Sequence, residues 1–174
     1  MPTNQFDNLP KIGKKDALNI LQKPLAEVSS SSDYYKAVFH LANVPCKETE
    51  KALLDFIRAD HEELEFKIAR RKAIEVLALF DCQKAIPLIA QYLNSDDSYL
   101  VETVIWALGK LRCNDMKIIN QICLMLYSPS NNKRIVIQTL TTLGVDKEIE
   151  KIRSLLKDEK ISNLVRGAAL SALI

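Results

Sequence analysis

The fold of this chain is decided by residues 96–111, which read Asp96-Asp97-Ser98-Tyr99-Leu100-Val101-Glu102-Thr103-Val104-Ile105-Trp106-Ala107-Leu108-Gly109-Lys110-Leu111. Asp and Ser open the stretch, and their side-chain oxygens can accept hydrogen bonds from the free N–H groups at a helix start. The apolar residues that follow share one stripe of a helix, namely Val101, Val104, Ile105, Leu108 and Leu111. The stretch therefore predicts a capped amphipathic helix. Gly109 should loosen its last turn, and Arg112-Cys113-Asn114-Asp115 should lead into a second helix.

The same helical rhythm recurs along the chain, as the leucines near the ends of the helices show. These leucines stand 31 to 36 residues apart, at Leu41, Leu77, Leu108, Leu140 and Leu173. A period of roughly 30 to 40 residues with two helices per unit is typical of an α-solenoid, in which stacked neighbours bury one another's apolar faces. We therefore predict an all-α fold, an α-solenoid of about four HEAT-like helical hairpins with the last one incomplete.

The period also predicts two parts of the chain. Residues 1–31 form an N-terminal extension with a short helix and a Ser-rich joint, and residues 32–174 form the HEAT-like repeat domain. Pro87 falls inside the second helix of the second repeat, which it should kink. The final helix has an apolar end over residues 168–174 that should not face water. Either the chain is a fragment of a longer protein or something else covers that end.

Composition and charge exclude several classes of protein. The chain carries 24 Lys and Arg against 22 Asp and Glu, a balance that argues against a sequence-independent grip on nucleic acid. Its apolar runs are far shorter than a membrane span, and its first residues contain no signal-peptide core. Four cysteines without zinc or CxxC spacing are expected to be free thiols in a reducing compartment: Cys46, Cys82, Cys113 and Cys123. We therefore expect a cytoplasmic protein.

The usual signatures of a self-contained enzyme are missing. The two histidines, His40 and His61, stand near no Ser or Cys in a recognisable nucleophile pattern. The sequence contains no glycine-rich phosphate loop and no carboxylate pair at metal-ligand spacing beside a histidine. The sequence therefore argues against a self-contained hydrolase, and no metal site is expected.

Charged residues occupy one position in three successive repeats. Arg71, Glu102 and Arg134 are 31 and 32 residues apart, so stacked repeats would place them in a ladder of alternating charge. One interpretation is that the ladder only aligns one repeat with the next. The other is that these groups line a pocket and hold a ligand that has both carboxylates and basic nitrogens.

Trp106 stands opposite the apolar stripe, where a large aromatic side chain needs an explanation. Its equivalents in the neighbouring repeats, Glu75 and Gln138, are polar, so this position normally faces water or a partner. Large exposed aromatics tend to mark contacts with other molecules. The alternative is that Trp106 folds onto the neighbouring repeat and belongs to the core.

The run from Tyr99 to Leu111 resembles the E/F-type phycobilin lyases of cyanobacteria, which have HEAT-like repeats. The pattern Tyr-x-Val-Glu-x-x-x-Trp-Ala-Leu-Gly is the most specific part of the resemblance, which covers about residues 33–174. The segments Tyr35-Lys36-Ala37-Val38 and Ala69-Arg70-Arg71-Lys72-Ala73 share it with less specificity, because they follow a rhythm common to many HEAT repeats.

The resemblance implies a role in the maturation of phycobiliproteins. Such proteins bind a bilin, a linear tetrapyrrole, as substrate and present it to a cysteine of a phycobiliprotein subunit, where a thioether forms. The two propionates of a bilin bind basic groups such as Arg or Lys, and its pyrrole nitrogens bind a carboxylate. Its conjugated plane packs against aromatic side chains. The implied catalytic residues are Glu102 and Asp97, and the implied ligand-binding residues are Arg70, Arg71, Tyr99, Trp106 and Arg134. No tightly bound cofactor is implied.

Three functions remain open on this basis. The first is a phycobilin lyase or lyase subunit whose partners are a phycobiliprotein subunit and a second HEAT-repeat lyase subunit in a heterodimer. The second is a non-catalytic HEAT-repeat chaperone or adaptor that binds a phycobiliprotein or a partner lyase chain. The third is a HEAT adaptor that handles no bilin.

Overall fold

The computed structural model describes residues 12–30, 32–59, 63–127, 132–158 and 160–173. Within these ranges the regular structure is helical, so the all-α prediction is confirmed. The chain divides into two compact units, residues 1–80 and 81–174. Some sequence features lie outside the described residues: Ser31 of the Ser-rich joint, residues 60–62, the loop residues 128–131, and Ile174.

The first unit contains four α-helices in its described part. Their bounds are α1 Lys14–Gln22, α2 Ser32–Leu41, α3 Lys47–Arg58 and α4 Leu64–Leu79, with a 3-10 turn at Leu25–Glu27 after α1. The short helix expected near the N-terminus is thus present as α1. It packs against both α2 and α3, and the Tyr34 hydroxyl of α2 donates to the Lys23 carbonyl oxygen at the end of α1, 2.7 Å away.

Three aromatic rings, one each from α2, α3 and α4, pack together in the core of the first unit. The ring centroid of Tyr34 lies 5.5 Å from that of Phe56 and 5.5 Å from that of Phe66. The centroids of Phe56 and Phe66 are 4.4 Å apart. All three residues are almost fully buried, so this cluster joins α2, α3 and α4 by apolar contact and ring geometry.

The second unit contains six α-helices in its described part. Their bounds are α5 Ile86–Ile89, α6 Ser98–Lys110, α7 Met116–Leu124, α8 Lys133–Thr142, α9 Ile149–Leu155 and α10 Asn163–Ser171, with 3-10 turns at Gln83–Ala85, Ala90–Asn94 and Asp146–Glu148. Helix α8 packs between α6 and α10, while α7 packs against α8 and α9 packs against α10. The unit thus stacks helical hairpins as an α-solenoid does.

The segment around Pro87 differs from the prediction of one kinked helix, which is wrong. A 3-10 turn, the single α-turn of α5 and a second 3-10 turn follow one another instead. Pro87 lies in the first turn of α5, where a missing N–H costs nothing. In the interior of a longer helix the same residue would remove a hydrogen bond and clash with the preceding turn.

Gly109 has a different role from the loosening that the sequence suggested. It is buried within α6, and a Cβ atom there would come within 3.0 Å of Thr139 Cγ2 and 3.1 Å of Thr139 Oγ1. The Thr139 hydroxyl of α8 donates to the Ile105 carbonyl oxygen, 3.2 Å away. Gly109 therefore permits a close approach of α6 to α8 rather than a loose last turn.

The ends of α4, α6 and α8 share one backbone device. The residues that follow them, Asp81, Arg112 and Gly144, have φ values of 54°, 50° and 67°. After α6, the N–H of Cys113 donates to the Leu108 carbonyl oxygen across 3.0 Å. After α8, the N–H of Val145 donates to the Leu140 carbonyl oxygen, also across 3.0 Å. These are the hydrogen bonds of a Schellman cap. The turns after these helices therefore each contain one residue in the left-handed backbone conformation.

No helix in the described ranges has both the length and the apolar character that a membrane crossing requires.

Candidate functional site

Helix α6 begins with a side-chain cap that occupies one of the two predicted catalytic carboxylates. Asp97 Oδ1 accepts hydrogen bonds from the backbone N–H groups of Tyr99 and Leu100, at 3.0 and 3.1 Å. Such a cap satisfies donors that have no partner within the helix. The structure thus places Asp97 at the helix start as a capping residue, and a catalytic role for it stays a prediction.

The apolar stripe of α6 faces the core as predicted. The five residues of the stripe are each at most 4% exposed: Val101, Val104, Ile105, Leu108 and Leu111. Burial of this stripe fixes the rotation of α6, and the opposite side of the helix is left toward solvent. That side carries Tyr99, Glu102 and Trp106.

Glu102 and Arg134 form an ion pair between α6 and α8. Arg134 Nη2 lies 2.6 Å from Glu102 Oε1, and the two side chains are 36% and 39% exposed. The predicted pairing of these two repeat positions is therefore confirmed. Arg134 Nη1 also donates to Gln138 Oε1 across 3.0 Å, so the guanidinium is held between a carboxylate and an amide.

Trp106 lies one turn after Glu102 on the same side of α6 and is half-buried. Its two core neighbours, Ile105 and Ala107, are fully buried, so the indole stands at the edge of the core and not within it. Tyr99, one turn before Glu102, is 68% exposed. This face of α6 and α8, with Tyr99, Glu102, Trp106, Arg134 and Gln138, is called the α6–α8 face below.

The two remaining predicted ligand-binding residues, Arg70 and Arg71, lie on α4 in the first unit. Arg70 is 5% exposed. Its Nη2 donates to the Ala59 carbonyl oxygen across 2.6 Å, and its guanidinium carbon lies 5.3 Å from the Phe66 ring centroid. Arg70 thus stabilises the end of α3 against the aromatic core. Arg71, about 100° further around the helix, is half-buried.

Three residues that share the repeat positions of the predicted site were not among the predicted site residues. Gln138 is the hydrogen-bond partner of Arg134. In the first unit, Tyr35 and Phe39 stand at the positions of Arg71 and Glu75 one repeat earlier, and their rings stack with centroids 6.5 Å apart and planes inclined by 21°. Extending the site positions to the first repeat would have included both aromatics, because they precede Arg71 and Glu75 by 36 residues.

The four cysteines are free thiols, as expected. Three are buried, and burial raises the pKa of the Cys113 and Cys123 thiols. Cys46 is half-exposed immediately before α3. The Thr49 hydroxyl, 3.3 Å from Cys46 Sγ, is the main cause that lowers the pKa of this thiol to about 7. Among the described residues, no three His, Cys, Asp or Glu side chains are grouped so that they could hold a metal ion.

Comparison with known proteins connects this geometry to a family. A HEAT repeat family model matches residues 63–118. The bilin biosynthesis protein CpeY of Synechococcus sp. (strain WH8020) is 40% identical over 152 residues, which are 87% of this chain and 36% of that protein. The uncharacterized phycocyanin operon protein Y of Pseudanabaena tenuis (strain PCC 7409) is 31% identical over 169 residues, 97% of this chain and 40% of that protein. The chain thus spans less than half the length of these relatives.

A solved structure shares the fold. The complex of CpcE and CpcF of phycocyanin lyase from Nostoc sp. PCC7120 contains a chain that matches with a TM-score of 0.75 and 23% sequence identity. The match covers 99% of this chain and 67% of that one. The HEAT repeat match and the two relatives agree with one another, and they support the assignment of this chain to the E/F/Y-type phycobilin lyase family.

Proposed function

We propose that this chain takes part, as a phycobilin lyase or lyase subunit, in attaching a bilin to a cysteine of a phycobiliprotein subunit. The observation that carries the proposal is the α6–α8 face, where a carboxylate pairs with a guanidinium and an indole follows the carboxylate by one helical turn, all three with partial exposure. The similarity to a bilin biosynthesis protein supports the same substrate class.

The α6–α8 face offers the groups that a bilin needs. Arg134 can pair with a propionate, since a guanidinium binds a carboxylate with two parallel hydrogen bonds. Glu102 can accept hydrogen bonds from pyrrole N–H groups, and Trp106 and Tyr99 can pack against the conjugated plane. Opening the Glu102–Arg134 pair to admit the pigment costs little, because exposed ion pairs contribute only about 0–1 kcal/mol.

The bond-forming step needs no oxidant or reductant. The acceptor thiol adds across a carbon–carbon double bond of the bilin: sulfur bonds to one carbon, the S–H bond breaks, and the proton ends on the other carbon. This chain contributes by holding the pigment in position. Glu102 is better placed than Asp97 to move a proton, because Asp97 Oδ1 already accepts two backbone hydrogen bonds.

A spectral titration with biliverdin, a linear tetrapyrrole, tests the binding step. We expect a red-shifted and sharpened long-wavelength absorption band on addition of the chain, and a much weaker change with the Glu102→Gln variant. Adding the bilin and an apo-phycocyanin subunit should then yield a subunit whose mass has increased by one bilin. An unchanged biliverdin spectrum in the presence of the folded wild-type chain would contradict the proposal.

A non-catalytic adaptor is the second candidate, and one observation favours it. Ile105 and Ile137 occupy the same position in successive repeats and are fully buried, whereas the third residue of this series, Leu170 on α10, is 52% exposed. In the first two cases a following helix packs against the helix that carries the residue: α8 packs against α6, and α10 packs against α8. We propose that helices packed against α10 cover Leu170 in the same way, and in the adaptor role these helices belong to a second HEAT-repeat chain.

Sedimentation of the chain with and without the CpcE or CpcF chain as a probe separates the two candidates. If the chain is an adaptor, we expect a stable heterodimer that a Leu170→Glu variant fails to form. We then also expect the chain to leave the biliverdin spectrum unchanged. The lyase role expects the spectral change whether or not the heterodimer forms. A chain that neither binds biliverdin nor pairs with either probe would contradict both.

A further inference from the structure

The second unit presents a row of large apolar side chains on the side of α7 that faces α9. Met116, Leu124 and Tyr127 are 58%, 68% and 60% exposed. With Asn120 they follow one another at helical spacing, so they form one stripe on and just after α7. From Met116 to Leu124 the stripe extends about 12 Å along the helix. Three exposed side chains of this size on one helix face exceed the scattered apolar residues normal for a surface.

Lysines border this stripe on both sides. On α7 itself, Lys117 lies on the face of Asn120 and Leu124 because it precedes them by three and seven residues. On the α9 side, Lys151 Nζ lies 4.7 Å from the Tyr127 ring centroid, and Lys147 Nζ donates to Asn120 Oδ1. The stripe and these three lysines are called the α7–α9 surface.

The carboxylates next to the α7–α9 surface are held by local contacts. Glu148 Oε2 accepts a hydrogen bond from the Tyr127 hydroxyl, 3.1 Å away. Asp115 Oδ1 accepts one from the Lys117 N–H at the start of α7, 2.8 Å away. Glu150 pairs with Arg153. The Arg153 guanidinium balances the charge of Glu150, whereas the hydrogen bonds to Glu148 and Asp115 orient those carboxylates without removing their charge. Three lysines therefore flank the apolar stripe, with Asp115 and Glu148 held in place beside them.

We propose that the α7–α9 surface docks an amphipathic helix of another protein, whose apolar side lies on Met116, Leu124 and Tyr127 and whose Asp and Glu residues on either flank meet the lysines. This arrangement has the form of helix-in-groove recognition, in which apolar anchors supply affinity and flanking charges set orientation and partner choice. The surface belongs to helices other than those of the α6–α8 face, so the inference does not depend on bilin binding.

A second copy of this chain fits the surface less well. The most acidic amphipathic helix in the described part of the chain is α3, with Glu48, Glu50 and Asp55. Its apolar residues Leu53 and Ile57 are fully buried in the first unit. Offering that face to another copy would require unfolding of the first unit's core, which favours a different protein as the occupant.

Two designed peptides of roughly sixteen residues, four to five turns of helix, test the proposal on the full chain. Both carry the same leucine stripe, bordered by Glu in one peptide and by Lys in the other, with a fluorescent label for anisotropy. We expect the Glu-bordered peptide to bind at least about tenfold more tightly at low salt, a gap that added salt narrows. Equal binding of both peptides, or tighter binding of the Lys-bordered one, would overturn the proposal.

Surface variants locate the binding. Leu124→Ser should weaken binding of the Glu-bordered peptide about tenfold. The double variant Lys117→Glu with Lys151→Glu should bind the Lys-bordered peptide more tightly than the Glu-bordered one. Leu79→Ser is the matched control, because Leu79 is a 58% exposed leucine on α4 in the first unit. Circular dichroism melts verify that each variant is folded. An equal loss of peptide affinity in the Leu79→Ser control would overturn the assignment. Self-association of the wild-type chain that Leu124→Ser abolishes would also overturn it, since a second copy would then occupy the surface.

Discussion

Arg134 Nη2 donates to Glu102 Oε1 across 2.6 Å and so joins two helices at positions 32 residues apart in the sequence. The same guanidinium also donates to Gln138. The pair lies at the edge of the stack, with more than a third of each side chain exposed. It can therefore align two repeats and, at small energetic cost, exchange one partner for a ligand.

Changing Glu102 to Gln separates these two roles. We expect the free energy of unfolding to fall by less than about 1 kcal/mol, because the pair is exposed. Biliverdin binding should fall sharply, since a hydrogen bond to an ionised carboxylate is about twice as strong as a neutral one. Chemical denaturation and the spectral titration measure the two effects. Asp55→Asn is the control, because it removes a pair with Arg58 that spans 2.8 Å on α3. A large stability loss with intact pigment binding would leave alignment as the role of Glu102.

Replacing Trp106 by Ala should weaken pigment binding more than it weakens the fold. A fully buried Trp costs about 3–5 kcal/mol on truncation, and we expect about 1–2 kcal/mol for this half-buried indole. Ile105→Ala, at the adjacent and fully buried position, should cost about 2–5 kcal/mol. Urea unfolding of both variants tests the order, and a Trp106→Ala loss as large as that of Ile105→Ala would place the indole in the core.

Gly109→Ala should destabilise the second unit, although alanine favours helices. The added Cβ would lie 3.0 Å from Thr139 Cγ2, and overpacking of this kind costs about 1–3 kcal/mol. The gain in helix propensity offsets about 1 kcal/mol of that. Thr139→Ser removes the crowded methyl group and keeps the hydroxyl bond to Ile105. It should restore part of the stability in the double variant, because the hydroxyl oxygen, 3.1 Å from the added Cβ, remains.

Gly167→Ala is the matched control for that experiment. Gly167 also lies inside a helix, α10, but no atom stands within 4 Å of the position that its Cβ would take. Here the substitution should stabilise the chain by up to about 1 kcal/mol. If both glycine variants change the free energy of unfolding in the same direction, the close approach of α6 to α8 does not control the effect.

Alkylation of Cys46 should follow an ionisation near pH 7. The thiolate is the reactive form, so the rate of labelling by iodoacetamide should rise with pH through a midpoint of about 7. Thr49→Val removes the hydroxyl that contributes most and should move the midpoint toward the ordinary value of 9.0. The buried Cys113 and Cys123 should react slowly over the same range. A wild-type midpoint close to 9 would contradict the prediction.

The same ionisation has a defined effect on stability. Because the pKa of Cys46 is lower in the folded chain than in the unfolded one, folding releases a proton between about pH 7 and pH 9. The stabilising contribution is therefore fully present above the unfolded pKa and is lost as the pH falls through 7. In the Cys46→Ser variant, this part of the pH dependence should be absent.

The amino-acid sequence by itself determined the helices, their repeat and one contact between repeats. The spacing of Val101, Val104 and Leu108 specifies which side of α6 is buried, because side chains three and four residues apart share a helix face. Positions 32 residues apart then predict that Glu102 meets Arg134. The Asp97 cap follows from local chemistry alone.

Only the tertiary structure decided what happens where helices meet. Arg70 and Arg71 look equivalent in the sequence, yet Arg70 is buried against Phe66 while Arg71 is half-buried. In the sequence, Gly109 predicts a loosened last turn of α6. In the structure it is the position at which Thr139 of α8 approaches α6 closely enough to leave no room for a Cβ. The periodicity of one helix specifies its faces. The distance and rotation between two helices depend on the packing of all the side chains between them, and no spacing along the chain encodes that.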